Sequence, residues 1–180
     1  MYQPENHDTE NSPVMKNITI RLAEPSQVFS ILYILKEVIK GENNFVNYTF
    51  DPEDINTVVA DKNQLIAFHL GVTAGVLSIK KEGQAAYEQV KTYQPSKALF
   101  LHALGVHPVY RKKGIATALV QFALEYTAQL KAEIIYTDVS SKNTAAKALF
   151  LKRGFTEEGQ FYFSDTNHPY ILLRKNISPL

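Results

Sequence analysis

A basic, glycine-bearing turn joins an apolar strand pattern to an amphipathic helix pattern, and it restricts the possible folds more than any other feature. It reads Val106-His107-Pro108-Val109-Tyr110-Arg111-Lys112-Lys113-Gly114-Ile115-Ala116. Upstream, Ala98–Val106 is mostly apolar, as a strand inside a sheet is. Downstream, Leu119, Phe122, Ala123 and Tyr126 repeat on one face of a helix predicted over 115–130. A strand that runs into a helix leaves the first helical amides without partners. Those donors and the helix dipole together attract an anion. Gly114 has no Cβ to hold a phosphate away, and Ala116 is small. Arg111, Lys112 and Lys113 add positive charge. The turn suits a diphosphate; the plainer alternative is a solvated basic turn.

Composition narrows the rest. A length of 180 residues suits one domain, predicted over 15–180, with 1–14 as a polar, disordered tail. A hydrophobic fraction of 45% supplies a core. Net charge is +1, so no overall field draws the chain to nucleic acid or to an acidic membrane. The absence of cysteine removes disulfides, a thiol nucleophile and thiolate metal sites. It also fits a reducing, cytoplasmic setting. His69 and His168 lack metal-ligand spacing, so no metal is expected. The longest nearly apolar run, Leu65 to Ile79, is too short to span a membrane.

The patterning gives an element order. Residues 18–22 alternate as a strand. Glu24-Pro25-Ser26 opens a helix that ends at Gly41. Asp51-Pro52-Glu53-Asp54 turns into a short helix. Strands follow over 65–70 and 74–81, joined near Gly71, and 82–97 is a loop or short helix. After the strand 98–106 and the helix 115–130 come a strand at 133–139 and a helix at 145–152. Two final strands, 155–164 and 170–175, are joined through Asp165, Asn167 and Pro169. The expected class is α/β (α+β), with a mixed sheet and helices on both faces.

Two motifs carry a family resemblance. Arg111-Lys112-Lys113-Gly114-Ile115-Ala116 resembles the acyl-CoA signature of the GCN5-related N-acetyltransferase (GNAT) superfamily: arginine or glutamine, two residues, glycine, one residue, then glycine or alanine. A second element, Asn143-Thr144-Ala145-Ala146-Lys147-Ala148-Leu149-Phe150-Leu151-Lys152-Arg153-Gly154-Phe155, is similar to the family's later helix. Leu101-His102-Ala103-Leu104-Gly105-Val106-His107 is similar to the matching strand of the arylalkylamine branch. The resemblance implies a mostly antiparallel sheet of six to seven strands with a central splay between the fourth and fifth. It also implies acetyl-CoA as co-substrate and transfer of acetyl to a primary amine by direct attack through a tetrahedral intermediate. The acceptor would be a small-molecule or peptide amine, and a homodimer is possible by analogy. A CoA-binding or sensor module of the same fold is the alternative.

The resemblance also distributes roles. The backbone of Arg111, Lys112, Lys113, Gly114, Ile115, Ala116 and Thr117 would hold the diphosphate. The edge formed by Leu104, Gly105 and Val106 would pair with the amides of the pantetheine arm. A bulge at Leu104–Gly105 would open the splay, although close helix packing explains Gly105 equally well. His102, expected on one face with Phe100 and Leu104, is the candidate base; a satisfied core histidine is the other reading. His107 reads as surface. Asn143 would cap its helix, bind the pantetheine arm, or both. Phe150 stands where the family commonly has a proton-donating tyrosine, and it has no proton to give. It can still pack against the arm. Water, or another tyrosine such as Tyr162 or Tyr170, could replace that donor, and no acid is assigned. For the acceptor, Tyr48, Phe50, Tyr87 and Tyr93, with Asp51, Glu53 and Asp54, are candidates, or ordinary packing aromatics and turn acids.

Overall fold

The structure, a computed structural model, describes residues 17–41, 51–94, 96–164 and 166–177. The tail 1–14, Tyr48, Phe50 and Asp165 lie outside the described residues. Seven strands form one sheet: β1 (Ile18–Leu22), β2 (Gln64–His69), β3 (Val72–Lys80), β4 (Ala98–Val106), β5 (Ile134–Ser140), β6 (Thr156–Phe161) and β7 (Tyr170–Asn176). Their order is β1-β2-β3-β4-β5-β7-β6, and β4–β5 is the parallel pair in an otherwise antiparallel sheet. The helices are α1 (Val28–Gly41), α2 (Pro52–Ala60), α3 (Ile115–Gln129) and α4 (Thr144–Lys152). Among the described residues no helix is long and apolar enough to cross a membrane.

Alternation along the strands sends side chains to two faces. Leu65 and Ala67 of β2 join Leu119, Val120 and Ala123 of α3 in one core cluster, with Phe150 of α4. Ile66 of β2 joins Ile31, Ile34 and Leu35 of α1 and Ile55 and Val59 of α2 in another. A third cluster is aromatic and builds around Tyr87, Phe100, Tyr136 and Phe161. Helix starts follow the expected chemistry. Asp51 caps α2 by accepting from the Glu53 amide at 2.9 Å, and Asn143 caps α4 by accepting from the Ala146 amide at 3.0 Å. The β2–β3 turn uses two left-handed residues, Leu70 and Gly71.

The bulge in β4 lies one residue earlier than the sequence suggests. Val76 pairs with Gly105 and Ser78 with His102, so two steps on β3 oppose three on β4. The extra residue therefore falls at Ala103–Leu104, not Leu104–Gly105, and Ala103 takes φ +52°. Gly105 stays in the ladder. Its missing side chain makes room for α1: an added Cβ would lie 3.2 Å from Val38 Cγ2. The bulge also reverses a facing. Leu99, Leu101, Leu104 and Val106 all pack with the α3 cluster, whereas Phe100 belongs to the aromatic one. Leu104 thus sits opposite Phe100, not beside it. The final strands also differ from the pattern: β6 stops at Phe161, three residues short of expectation.

Gly75 of β3 locks the sheet to the head of α3. A Cβ there would come within 2.9 Å of Ile115 Cγ2 and 3.1 Å of the Gly105 carbonyl oxygen. Gly75→Ala is expected to cost about 1–3 kcal/mol through overpacking. A lower urea midpoint at unchanged m value is the check.

Candidate active site

β4 and β5 pair over four residues only, from Ala98↔Ile134 to Leu101↔Thr137. Beyond Leu101, β4 bends through its bulge, while β5 continues to Ser140 against β7. The strands fork, and a cavity of about 140 Å³ opens between them. Residues 101–104 of β4 and 137–140 of β5 line it, with Leu35 and Val38 of α1, Tyr170, and one face of α4: Asn143, Ala146 and Phe150. Among the described residues, the β5-facing edge of β4 past Leu101 has no strand partner.

The basic turn lies at the far end of β4. His107 accepts from the Val109 amide, a short 3-10 turn spans Pro108–Tyr110, and Arg111 folds back so that its Nε donates to the Val106 carbonyl at 3.4 Å. Lys112 (φ +61°) and Gly114 (φ +83°) take left-handed conformations, which curl the backbone into a concave ring of amides. Gly114 is the residue before α3 and offers no side-chain cap. Among the described residues, nothing accepts a backbone hydrogen bond from the amides of 112–117. The first internal bond of the helix runs from Ala118 to Gly114 at 2.9 Å. Arg111, Lys112 and Lys113 are exposed, whereas the Ile115 side chain is buried and contributes only its amide. Ala116 and Thr117 follow on the first turn. The ring can hold an anion, and its charges are of the right sign.

His102 and Asp138 are the next residues on their strands after the last β4–β5 pair, and both line the cavity. The His102 ring is half-buried, with Nε2 3.3 Å from the side-chain nitrogen of Gln84. Burial pushes the imidazole below its usual pKa; Asp138 pulls the other way, and Lys80 adds to the lowering. Asp138 is anchored by the Tyr87 hydroxyl, which donates to Oδ1 at 2.5 Å. Tyr87 is itself locked among Tyr93, Phe100 and Phe161. An imidazole kept neutral beside a fixed carboxylate can accept a proton from a cationic group at the fork.

Other sequence candidates fall elsewhere. Asn143 both caps α4 and lines the cavity. Phe150 is buried at the cavity wall and packs edge-on against Phe155. Tyr87 and Tyr93 are core aromatics. Asp51, Glu53 and Asp54 are exposed at the start of α2, away from the cavity lining. His107 is half-exposed and stacks on Tyr33, with ring centroids 5.8 Å apart. Sequence reasoning missed Asp138 and Gln84. One signal was available for Asp138: it is a lone carboxylate in an apolar strand, where burial is costly without a partner.

Comparison with known proteins agrees with this geometry. The model of the acetyltransferase (GNAT) family matches residues 32–155. An uncharacterised N-acetyltransferase of Schizosaccharomyces pombe is 31% identical over 114 residues, covering 59% of this chain and 72% of that protein. A GNAT-family acetyltransferase from Streptococcus pneumoniae has a similar structure: TM-score 0.71 at 21% identity, covering 89% of this chain and 99% of that one. So has yncA from Salmonella typhimurium, solved with its cofactor acetyl-CoA: TM-score 0.72 at 17% identity, covering 90% and 95%.

The desolvated ring of His102 is expected to titrate below about 6.5 in a histidine proton NMR experiment. Asp138→Asn removes the opposing charge and should move the midpoint further down. A midpoint at or above the ordinary value would contradict the burial argument.

Proposed function

Given that this chain belongs to the acetyltransferase (GNAT) family, we propose that it transfers acetyl from acetyl-CoA to a primary amine. The observation that carries this reading is the run of amides 112–117 at the head of α3, which has no backbone acceptor among the described residues and follows directly on the end of β4 that leaves β5. Acetyl-CoA supplies an acyl carbon already activated as a thioester. The amides of 112–117 hold its diphosphate, with Arg111, Lys112 and Lys113 balancing the charge. The free β4 edge at Leu104, Gly105 and Val106 pairs with the amides of the pantetheine arm. Asn143 and Phe150 close the arm in from α4. Fit is supported by Gly114, whose φ of +83° is a conformation that residues with a side chain rarely adopt.

The acceptor arrives mostly as an ammonium, since an alkylamine has a pKa near 10. Asp138 draws that cation to the fork, and His102 takes the proton. The imidazolium formed is stabilised by the adjacent carboxylate, as in other histidine–carboxylate pairs. The strand around His102 keeps arylalkylamines in view alongside polyamines and peptide α-amines. A second reading, a CoA-binding module, is favoured by one observation: Phe150 cannot donate a proton.

An amine-library screen with acetyl-CoA, reading released thiol, separates the two. At least one amine should give turnover, and His102→Ala should then lower kcat/KM by about 10²-fold or more and remove the acidic limb of its pH profile. Binding of CoA without turnover on any amine would favour the module. Gly114→Val, strained in a left-handed conformation, should weaken acetyl-CoA binding about tenfold or more by calorimetry.

A further inference from the structure

One short segment outside the sheet touches both strands of the fork just past their last pair. It spans residues 83–89, between β3 and β4, and contains a 3-10 turn at Ala85–Gln89. Gly83 seats it on β4: a Cβ there would come within 2.7 Å of Phe100 Cε1. His102 follows Phe100 by two residues, on the same face of the strand. Gln84 opens the turn, and its carbonyl accepts from the Tyr87 amide at 2.9 Å. The Gln84 side chain does not cap that turn. It extends to β4 instead, where its Nε2 lies 3.3 Å from His102 Nε2. Tyr87, three residues on, reaches β5 and donates to Asp138 Oδ1 at 2.5 Å. One turn thus holds a group on each strand at the first position beyond Leu101↔Thr137.

A carboxamide suits this place. It carries N–H donors and a carbonyl acceptor on one rotor. An imidazole nitrogen accepts when bare and donates when protonated. A carboxylate could only accept, and would favour the charged ring. An amide serves either state by a half-turn about its last bond and stays neutral throughout. Gln84 is half-exposed, and among the described residues its side chain makes no other hydrogen bond. The charged groups that act on the ring come from elsewhere: Asp138 from β5 and Lys80 from β3. Across the cavity, α1 contributes the apolar Leu35, Val38 and Ile39, and β7 contributes Tyr170.

We propose that Gln84 is a positioning residue for proton uptake at His102, donating to the ring nitrogen when it is bare and accepting from it once it is protonated. This rests on the acetyltransferase reading above, in which His102 takes the proton of the acceptor. At rest the amide N–H caps the lone pair of the ring nitrogen. A half-turn withdraws it, and the nitrogen takes the proton. The N–H bond of the ammonium breaks, its electron pair stays on the amine, and a new N–H bond forms on the ring. The Gln84 carbonyl then accepts from that bond. Gln84 itself gains and loses no proton. It keeps a desolvated ring partnered in both states, where an unmade hydrogen bond is costly.

The test compares the wild-type protein with Gln84→Met, which keeps the length of the side chain without its polar group, and with Gln84→Glu. First, His102 is titrated by histidine proton NMR in the ligand-free protein, its resonance assigned with His102→Ala. A hydrogen bond to a charged group is stronger than one to a neutral group, so the midpoint should fall by about one pH unit in Gln84→Met. In Gln84→Glu the added carboxylate should raise it by about one pH unit or more. Second, the acidic limb of kcat/KM is measured with an acceptor from the screen. It should follow the midpoints, down in Gln84→Met and up in Gln84→Glu, with KM for acetyl-CoA unchanged. An unmoved midpoint in Gln84→Met overturns the proposal. So does a rise, which assigns the amide to the neutral ring alone. Midpoints that move while the acidic limb stays in place overturn the link to proton uptake. Absence of wild-type turnover on any amine counts against the acetyltransferase reading instead, and the midpoints still decide whether Gln84 serves both states of the ring.

Discussion

The early end of the β4–β5 ladder is the constraint on which the rest of this structure depends. Four parallel pairs hold the sheet together, and the ladder then stops. An extra residue in β4, with Ala103 in a left-handed conformation, bends that strand away from β5. Such a conformation costs an alanine about 1–3 kcal/mol. It persists because β3 pairs on both sides of it and Gly105 admits α1 closely. The same bend opens the cavity, frees a strand edge and aims the end of β4 at the amide ring. A regular ladder would have buried all three.

Charge is handled at the fork by neighbouring groups with opposed needs. Burial favours neutral His102, while Asp138 favours its charged form. Tyr87 holds the carboxylate in place from a fully packed aromatic cluster, so its hydroxyl cannot drift. The titratable and hydrogen-bonding groups at the fork thus come from β4 and β5 and from the short turn Ala85–Gln89 between β3 and β4. The proposed diphosphate site, by contrast, is almost entirely main chain. Its chemistry depends on conformation at Lys112 and Gly114 more than on side chains.

Much of the fold was legible in the chain. Alternation, helical spacing and punctuating residues such as Pro25, Gly41 and Gly71 give the element order directly. The Arg111–Ala116 motif on a strand–turn–helix gives the family. The bulge was legible only roughly. Gly105 looked like its seat because glycine tolerates odd backbone, yet tertiary packing used that glycine for helix clearance and put the strain on Ala103. Leu104 consequently changed faces, which no period-two reading of β4 could reveal.

Local sequence by itself determined the strands, the helices and the basic turn, because periodicity, capping and glycine placement act within a few residues. It also determined that no cysteine chemistry takes place here. Only the tertiary structure decided which polar groups meet. Asp138 meets Tyr87 across 51 residues, and Gln84 meets His102 across 18. Tyr170 and Phe150 line one cavity from different core clusters because β7 lies against β5. Such meetings are set by strand register and by where a ladder ends. Those depend on packing between distant segments, not on the residues flanking each group.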